Sequence, residues 1–414
     1  MISRRVFVRD GAFALVSLGF APSFLARTAM AATPTRTKRL IALFQRGAVD
    51  GLNMVVPFGD KDYYRARPSI AIQRPGGDSD TALDLDGFFG FNPRLQPLKR
   101  FWDAGQLAVV HACGSPDSTR SHFDAQDYME TATPGVKSTP DGWLNRYLEA
   151  RKDEEATPFR AVALTQQLPR MLQGRAPALA VNQIEQFGIR AGRASDVVAT
   201  SFESQFAAAA DRVLNNTGRE AFEAMRMLKR VDAAGYRAER GADYPRSAFG
   251  QALSQIAQLV KADVGLEVAF ADVGGWDTHV NQGGGQGQLS LRLDDFARAI
   301  AALVVDLGDR IEDTVVLTMS EFGRAVSENG NRGTDHGHGN AMIVVGGGLR
   351  GGRVFGKWPG LGGDERYEGR DLGVTTDFRD VFGEIVVRHL GVRNTTSIFP
   401  GYAITDRRFP GLFG

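Results

Sequence analysis

Apolar runs of strand length alternate with longer stretches at helical spacing along most of the chain. Arg39-Leu40-Ile41-Ala42-Leu43-Phe44 reads as a first strand, followed by a glycine-bounded loop from Gln45 to Asn53. Leu107 to His111 reads as a second strand, ending in Ala112-Cys113-Gly114-Ser115-Pro116, whose small residues mark a turn. Ser121-His122-Phe123-Asp124 has the Ser-x-x-Asp form of a helix cap, and the stretch to Glu130 is compatible with a helix. Phe249, Leu253, Ile256 and Val260 recur at the spacing of one helical face and belong to a core. Leu289, Leu293, Phe296, Ile300, Leu303 and Leu307 keep that rhythm, giving an amphipathic helix between strands at Leu266 to Ala271 and Thr314 to Met319. Strand, helix, strand is the parallel crossover unit, and Ala341 to Val345 makes a further strand. The pattern predicts an α/β fold in one large domain over 38–414, with a helical insertion around 200–263. There is no fixed-period repeat, and Gly283-Gly284-Gly285-Gln286-Gly287 reads as a mobile loop, since it lacks the Lys-Ser/Thr of a phosphate-binding loop.

The first residues follow a different pattern. Arg4-Arg5 precede an apolar stretch from Gly11 to Leu25, and Ala29-Met30-Ala31 offers a small-x-small cleavage site. Residues 1–31 therefore read as a twin-arginine signal peptide, which makes the mature protein periplasmic or secreted and its first partner the twin-arginine export machinery. No later run reaches membrane-spanning length, so no span is expected in the mature chain. Formal charge over the 414 residues is +1, with no basic block and no interleaved arginine and aromatic stripe, which argues against a nucleic-acid partner. Cys113 is the only cysteine, so no intrachain disulfide can form.

Four of the six histidines lie in short polar clusters that also hold carboxylates. His336 and His338, in Asp335-His336-Gly337-His338-Gly339, and Asp277 and His279, in Gly275-Trp276-Asp277-Thr278-His279, combine the imidazole and carboxylate donors of nitrogen/oxygen metal centres. Both clusters adjoin expected strands, and open α/β sheets place their sites at strand ends. Asp50 ends the loop after the first strand, where it is either a turn residue or a ligand. Glu321 and Arg324, after Thr314 to Met319, read as ligand or general base and its ionic partner. Ser121 is either a helix cap or a nucleophile beside N–H groups that favour an anion, with Ser118 and Thr119 as rivals and Arg120 placed to hold the anion's oxygens.

In this order the motifs resemble the alkaline phosphatase and sulfatase superfamily, within it the twin-arginine-exported domain-of-unknown-function family numbered 1501. The resemblance rests on Arg46-Gly47-Ala48-Val49-Asp50-Gly51-Leu52-Asn53, Arg120-Ser121-His122-Phe123-Asp124-Ala125-Gln126, the Asp277 and His336 clusters, Ser320-Glu321-Phe322-Gly323-Arg324 and the tail around Thr376-Asp377-Phe378-Arg379-Asp380. It implies an alkaline-phosphatase-like three-layer sandwich, with a mostly parallel central sheet between helices. It also implies a hydrolase of phosphate or sulfate esters with Ser121 as nucleophile, beside which Glu321, Arg120 and Arg324 read from their own positions as further catalytic residues. Asp50, Asp277, His279 and one of His336 or His338 match the superfamily's metal ligands, and with both histidines counted the five are expected to hold a divalent metal, whether zinc, manganese, calcium or magnesium. The substrate would be a small anionic ester or a sulfated or phosphorylated polymer. Two departures, Asp-x-His at Asp277 and Ser320-Glu321 at a strand end, point to a single ion or an altered pair. They also keep open a metal-stabilised binding or assembly protein on the same fold.

Overall fold

The computed structural model describes residues 37–151, 157–184 and 236–414. The expected signal peptide and the 200–235 part of the expected insertion lie outside the described residues. The main sheet contains β1 (Arg39–Gln45), β2 (Leu107–Gly114), β3 (Ala161–Ala163), β4 (Leu179–Ala180), β5 (Val268–Val273), β6 (Thr314–Met319), β7 (Asn340–Gly346), β8 (Arg353–Phe355) and β9 (Thr376–Asp377). Their order is β8-β2-β7-β6-β1-β5-β3-β4, with β9 also pairing with β2. The helices that matter here are α1 (Gln96–Asp103), α2 (His122–Thr131), α3 (Trp143–Ala150), α4 (Ala248–Lys261), α5 (Gln288–Leu307) and α6 (Phe378–Glu384).

The central strands are buried on both faces, as a parallel sheet between two helical layers requires. Alternate side chains point to opposite faces. Ile41 and Leu43 therefore join Val109, Val316 and Ile343 in a core shared with Leu253 and Ile256 of α4 and Phe296 and Ile300 of α5. Leu40, Ala42 and Phe44 face the other way, with Val110, Leu317 and Val344, onto Trp143 and Tyr147 of α3 and Phe378 and Phe382 of α6. Sheet and helices thus form three layers, as the resemblance implies.

β5, α5 and β6 make the expected crossover, but β5 and β6 are not neighbours, because β1 lies between them in parallel with both. β7 is antiparallel to its neighbours β2 and β6. Its start therefore lies at the edge where β1, β5 and β6 end, and the loop that carries His336 and His338 arrives beside the loops that carry Asp277 and Glu321. Two glycines allow the close approach. A Cβ on Gly323 would fall 1.9 Å from the Gly339 carbonyl oxygen, and one on Gly337 would fall 2.3 Å from the Arg324 carbonyl carbon. In their place Gly323 and Gly337 exchange backbone hydrogen bonds with the facing strand of chain, Gly323 N–H to the His338 carbonyl and Gly337 N–H to the Gly323 carbonyl, at 2.9 and 2.8 Å.

The glycine-rich loop expected to be mobile is tied down. Arg94 Nε donates to the Gly285 carbonyl at 3.1 Å, Ser290 Oγ to the Gly284 carbonyl at 2.7 Å, and Gln282 is fully buried. Among the described residues, no helix is long and apolar enough to cross a membrane.

Candidate metal centre

Three imidazoles meet above the ends of β5 and β6, and each is gripped from behind. His336 points its Nδ1 at the Arg120 carbonyl oxygen, 2.9 Å away. His279 points its Nδ1 at Asp335 Oδ1, 3.2 Å away. His122, the first residue of α2, points its Nδ1 at Glu321 Oε1, 2.8 Å away. A carbonyl or carboxylate oxygen can only accept, so each Nδ1 carries the hydrogen, and in the neutral ring each Nε2 presents a lone pair.

Those lone pairs face one another. His336 Nε2 lies 3.0 Å from both His122 Nε2 and His279 Nε2. The Asp277 carboxylate closes the group, with Oδ1 at 2.9 Å from His279 Nε2 and 3.2 Å from His336 Nε2, and Oδ2 at 3.5 Å from His122 Nε2. Bare nitrogen and oxygen lone pairs at these distances repel, and a shared cation resolves the repulsion. Two zinc–ligand bonds of about 2.0–2.1 Å at a tetrahedral angle hold their donor atoms about 3.3 Å apart, which the observed spacings match. His122, Asp277 and His336 each offer an atom within 4.8 Å of the others, and His279 flanks this triad on the Asp277 and His336 side. The residues present therefore fit a divalent ion.

Charges around the group favour the ligating forms. Burial works against ionised Asp277, but Arg324 outweighs it: Nη1 lies 2.5 Å from Oδ1, and the carboxyl is held below its usual range. Arg324 is itself buried and aimed by Thr334, whose hydroxyl and carbonyl both accept from it. Glu321 is fully buried, and it too is held below the usual range: burial raises it, and His122, Gln126 and the Gly47 N–H prevail. Its Oε1 accepts from Gly47 N and Gln126 Nε2, both at 2.8 Å, and its Oε2 from Ser320 Oγ at 2.9 Å. The Glu321 hydrogen bond raises the pKa of His122, which makes that ring a better donor to a cation. Burial pushes His336 down, which favours its neutral, ligating form.

Asp277, His279 and His336 thus come together from three loops. Asp50 and His338 do not join them. Asp50 is fully buried with both oxygens taken: Oδ2 by Arg67 Nη1 and Gln282 Nε2, each at 2.6 Å, and Oδ1 by Asn53 N at 3.4 Å. Arg67 neutralises it where a cation would otherwise be needed. The ring of His338 turns away and stacks on Tyr367 with centroids 4.2 Å apart. Glu321 and Arg324 stand behind the ligands, one on His122 and one on Asp277. The Arg120 guanidinium is engaged by Asp371 at 2.6 Å and Glu368 at 2.7 Å, and it is the Arg120 carbonyl that reaches the site, through His336. Ser121 caps α2 loosely, its Oγ accepting from Asp124 N at 3.5 Å, and stands one residue from His122. His122 is the member of this group that the sequence reading left out of the candidate metal set. It lies in the recognised Ser-x-x-Asp stretch, where the cap pattern accounted for the residues around it; its presence in a histidine and carboxylate cluster was the available signal.

The chain belongs to the family described as Protein of unknown function (DUF1501), which matches residues 105–379. No curated protein matches it. Among solved structures it is similar to the C-terminal periplasmic domain of EcEptC from Escherichia coli in complex with Zn, at 10% identity over 77% of this chain and 74% of that one, TM-score 0.35. It is also similar to the PsFucS1 sulfatase from Pseudoalteromonas sp., at 11% identity over 88% and 70%, TM-score 0.37. A third is the phosphonate monoester hydrolase of Agrobacterium radiobacter, at 9% identity over 88% and 78%, TM-score 0.32. Likenesses of this degree decide neither substrate nor reaction.

Proposed function

We propose that this DUF1501 protein is an exported metal-dependent hydrolase of phosphate or sulfate esters that works with one divalent cation. The observation that carries the reading is the convergence of three Nε2 atoms on the Asp277 carboxylate while every Nδ1 is held from behind. His122, Asp277 and His336 would hold the ion, with His279 beside them. Three nitrogens and a carboxylate favour zinc over manganese, calcium and magnesium, which prefer oxygen sets. When bound, the cation would act as a Lewis acid on the ester's phosphoryl or sulfuryl oxygen.

The chain's own groups have separate tasks. Arg324 keeps Asp277 ionised, and Glu321 keeps the Nε2 of His122 forward. Ser121, at the start of α2 beside His122, is the candidate nucleophile, at a helix end whose N–H groups favour an anion. Thr119 and Ser118 are its rivals, and the Thr119 hydroxyl already accepts from Ser121 N at 3.2 Å. Arg120 acts as a positioning residue for His336. Export rests on Arg4-Arg5 and Ala29-Met30-Ala31; lysine at both arginines should leave unprocessed precursor in the cytoplasm.

A metal-stabilised binding or assembly protein is the second reading. It is favoured by the neutralisation of Asp50 and the packing of His338, which leave fewer donors than a two-ion hydrolase would use. Metal analysis of the purified mature protein, followed by aryl phosphate and aryl sulfate assays with and without chelator, separates the two. Chelator-sensitive turnover supports the hydrolase; a metal-loaded protein inert towards both ester classes supports the binding protein.

A further inference from the structure

Four large hydrophobic side chains among the described residues are mostly or half exposed: Phe123 at 89%, Leu291 at 75%, Val280 at 49% and Val136 at 46%. Scattered singly, such residues are normal on a protein surface. Their placement here is not scattered. Phe123 directly follows His122, and Val280 directly follows His279, so two of the four are chain neighbours of the histidines whose Nε2 atoms lie 3.0 Å from that of His336. Leu291 continues the His279 side. Gln288 Nε2 holds the Val280 carbonyl at 3.1 Å, and Leu291 lies three residues further along α5, on the same helical face. The aromatic ring that packs under the site is a different one: Phe322 is buried and stacks on His122 with centroids 5.0 Å apart. Phe123 takes no part in that packing and stays exposed beside His122.

We infer that the metal centre takes an amphiphilic ester, whose anionic phosphate or sulfate head meets the His122, Asp277 and His336 group while its hydrophobic alcohol portion lies on Phe123, Val280 and Leu291. The inference rests on the ester-hydrolase reading and adds the substrate class. A purely polar ester would leave the Phe123 ring in water in the complex as in the free protein. An alkyl or aryl group covers it, and the area removed from water strengthens binding.

The test uses n-octylphosphonate and methylphosphonate, whose carbon–phosphorus bonds resist hydrolysis, so that binding is read without turnover. Each is titrated calorimetrically into the metal-loaded mature protein. The octyl compound should bind at least tenfold more tightly than the methyl compound. Phe123→Ser should remove most of that difference with metal content unchanged. Equal binding of the two phosphonates to a protein that does bind them overturns the inference and leaves the hydrolase reading standing. Failure of both phosphonates to bind the metal-loaded protein overturns the hydrolase reading itself. Flotation with phosphatidylcholine vesicles that depends on Phe123, combined with equal phosphonate affinities, assigns the apolar rim to a membrane surface and overturns the inference in that direction.

Discussion

Glu321 accepts the Nδ1 hydrogen of His122 at 2.8 Å from a fully buried position, with Gly47 N and Gln126 Nε2 on the same oxygen. The carboxylate therefore belongs to the β6 end and orients a ring that belongs to α2. This contact sets the direction of one metal-facing lone pair, and it links the β1 loop, α2 and the β6 loop in a single node.

Glu321→Gln keeps the size and one acceptor but removes the charge. Zinc affinity should fall roughly 10–100-fold, the range for losing a partner behind a ligating histidine. Competition with a chromogenic chelator measures it. The circular dichroism spectrum should be unchanged.

Ser121→Ala and His338→Ala should separate catalysis from packing. Without its hydroxyl, Ser121→Ala should lose turnover and retain bound metal, at a stability cost of about 1 kcal/mol for a weakened cap. His338→Ala should also retain its metal, because the ring stacks on Tyr367 instead of joining the ligands, and its effect should be confined to the melting temperature. Metal content by atomic spectrometry and aryl ester turnover distinguish the two variants.

Part of this arrangement is legible in the sequence. β1, β5, β6 and β7 and helices α4 and α5 show themselves through apolar runs and helical spacing, because each buries a face that periodicity records. The direction of β7 does not, since a short buried strand reads alike both ways; yet that direction brings His336 to Asp277. β3 and β4 span three and two residues, too few for any period. Asp50 looked like a ligand because its compensating charge, Arg67, comes from elsewhere in the chain and meets it only in the fold. His336 and His338 look equivalent two residues apart, and only the position of Tyr367 distinguishes them.

The Asp50–Arg67 pair is fully buried on both sides. Arg67→Met should therefore destabilise the protein by about 3–5 kcal/mol, because it leaves a buried carboxylate without its cation. Adding Asp50→Asn should recover a large part of the loss. Urea denaturation of the two variants tests the coupling, and metal content should be the same in both.

Acid should weaken the fold through two histidines outside the candidate metal centre. Burial pushes both His111 and His389 down to about 4, against opposing hydrogen bonds to the Val55 and Arg39 carbonyls. In the unfolded chain they titrate near roughly 6.5. Between those values the unfolded state binds more protons, so their contribution is present above pH 6.5 or so and is lost as pH falls towards about 4. Urea midpoints of the chelator-treated protein should drop across that window, and His389→Gln should flatten the decline.

The central claim is one divalent ion held by His122, Asp277 and His336. Anomalous diffraction at the zinc edge, from crystals of the mature protein grown with zinc, tests it most directly. The account predicts a single strong peak about 2.0–2.2 Å from His122 Nε2, His336 Nε2 and an Asp277 oxygen. A peak at Asp50 or His338, or no peak among those three ligands, would contradict it.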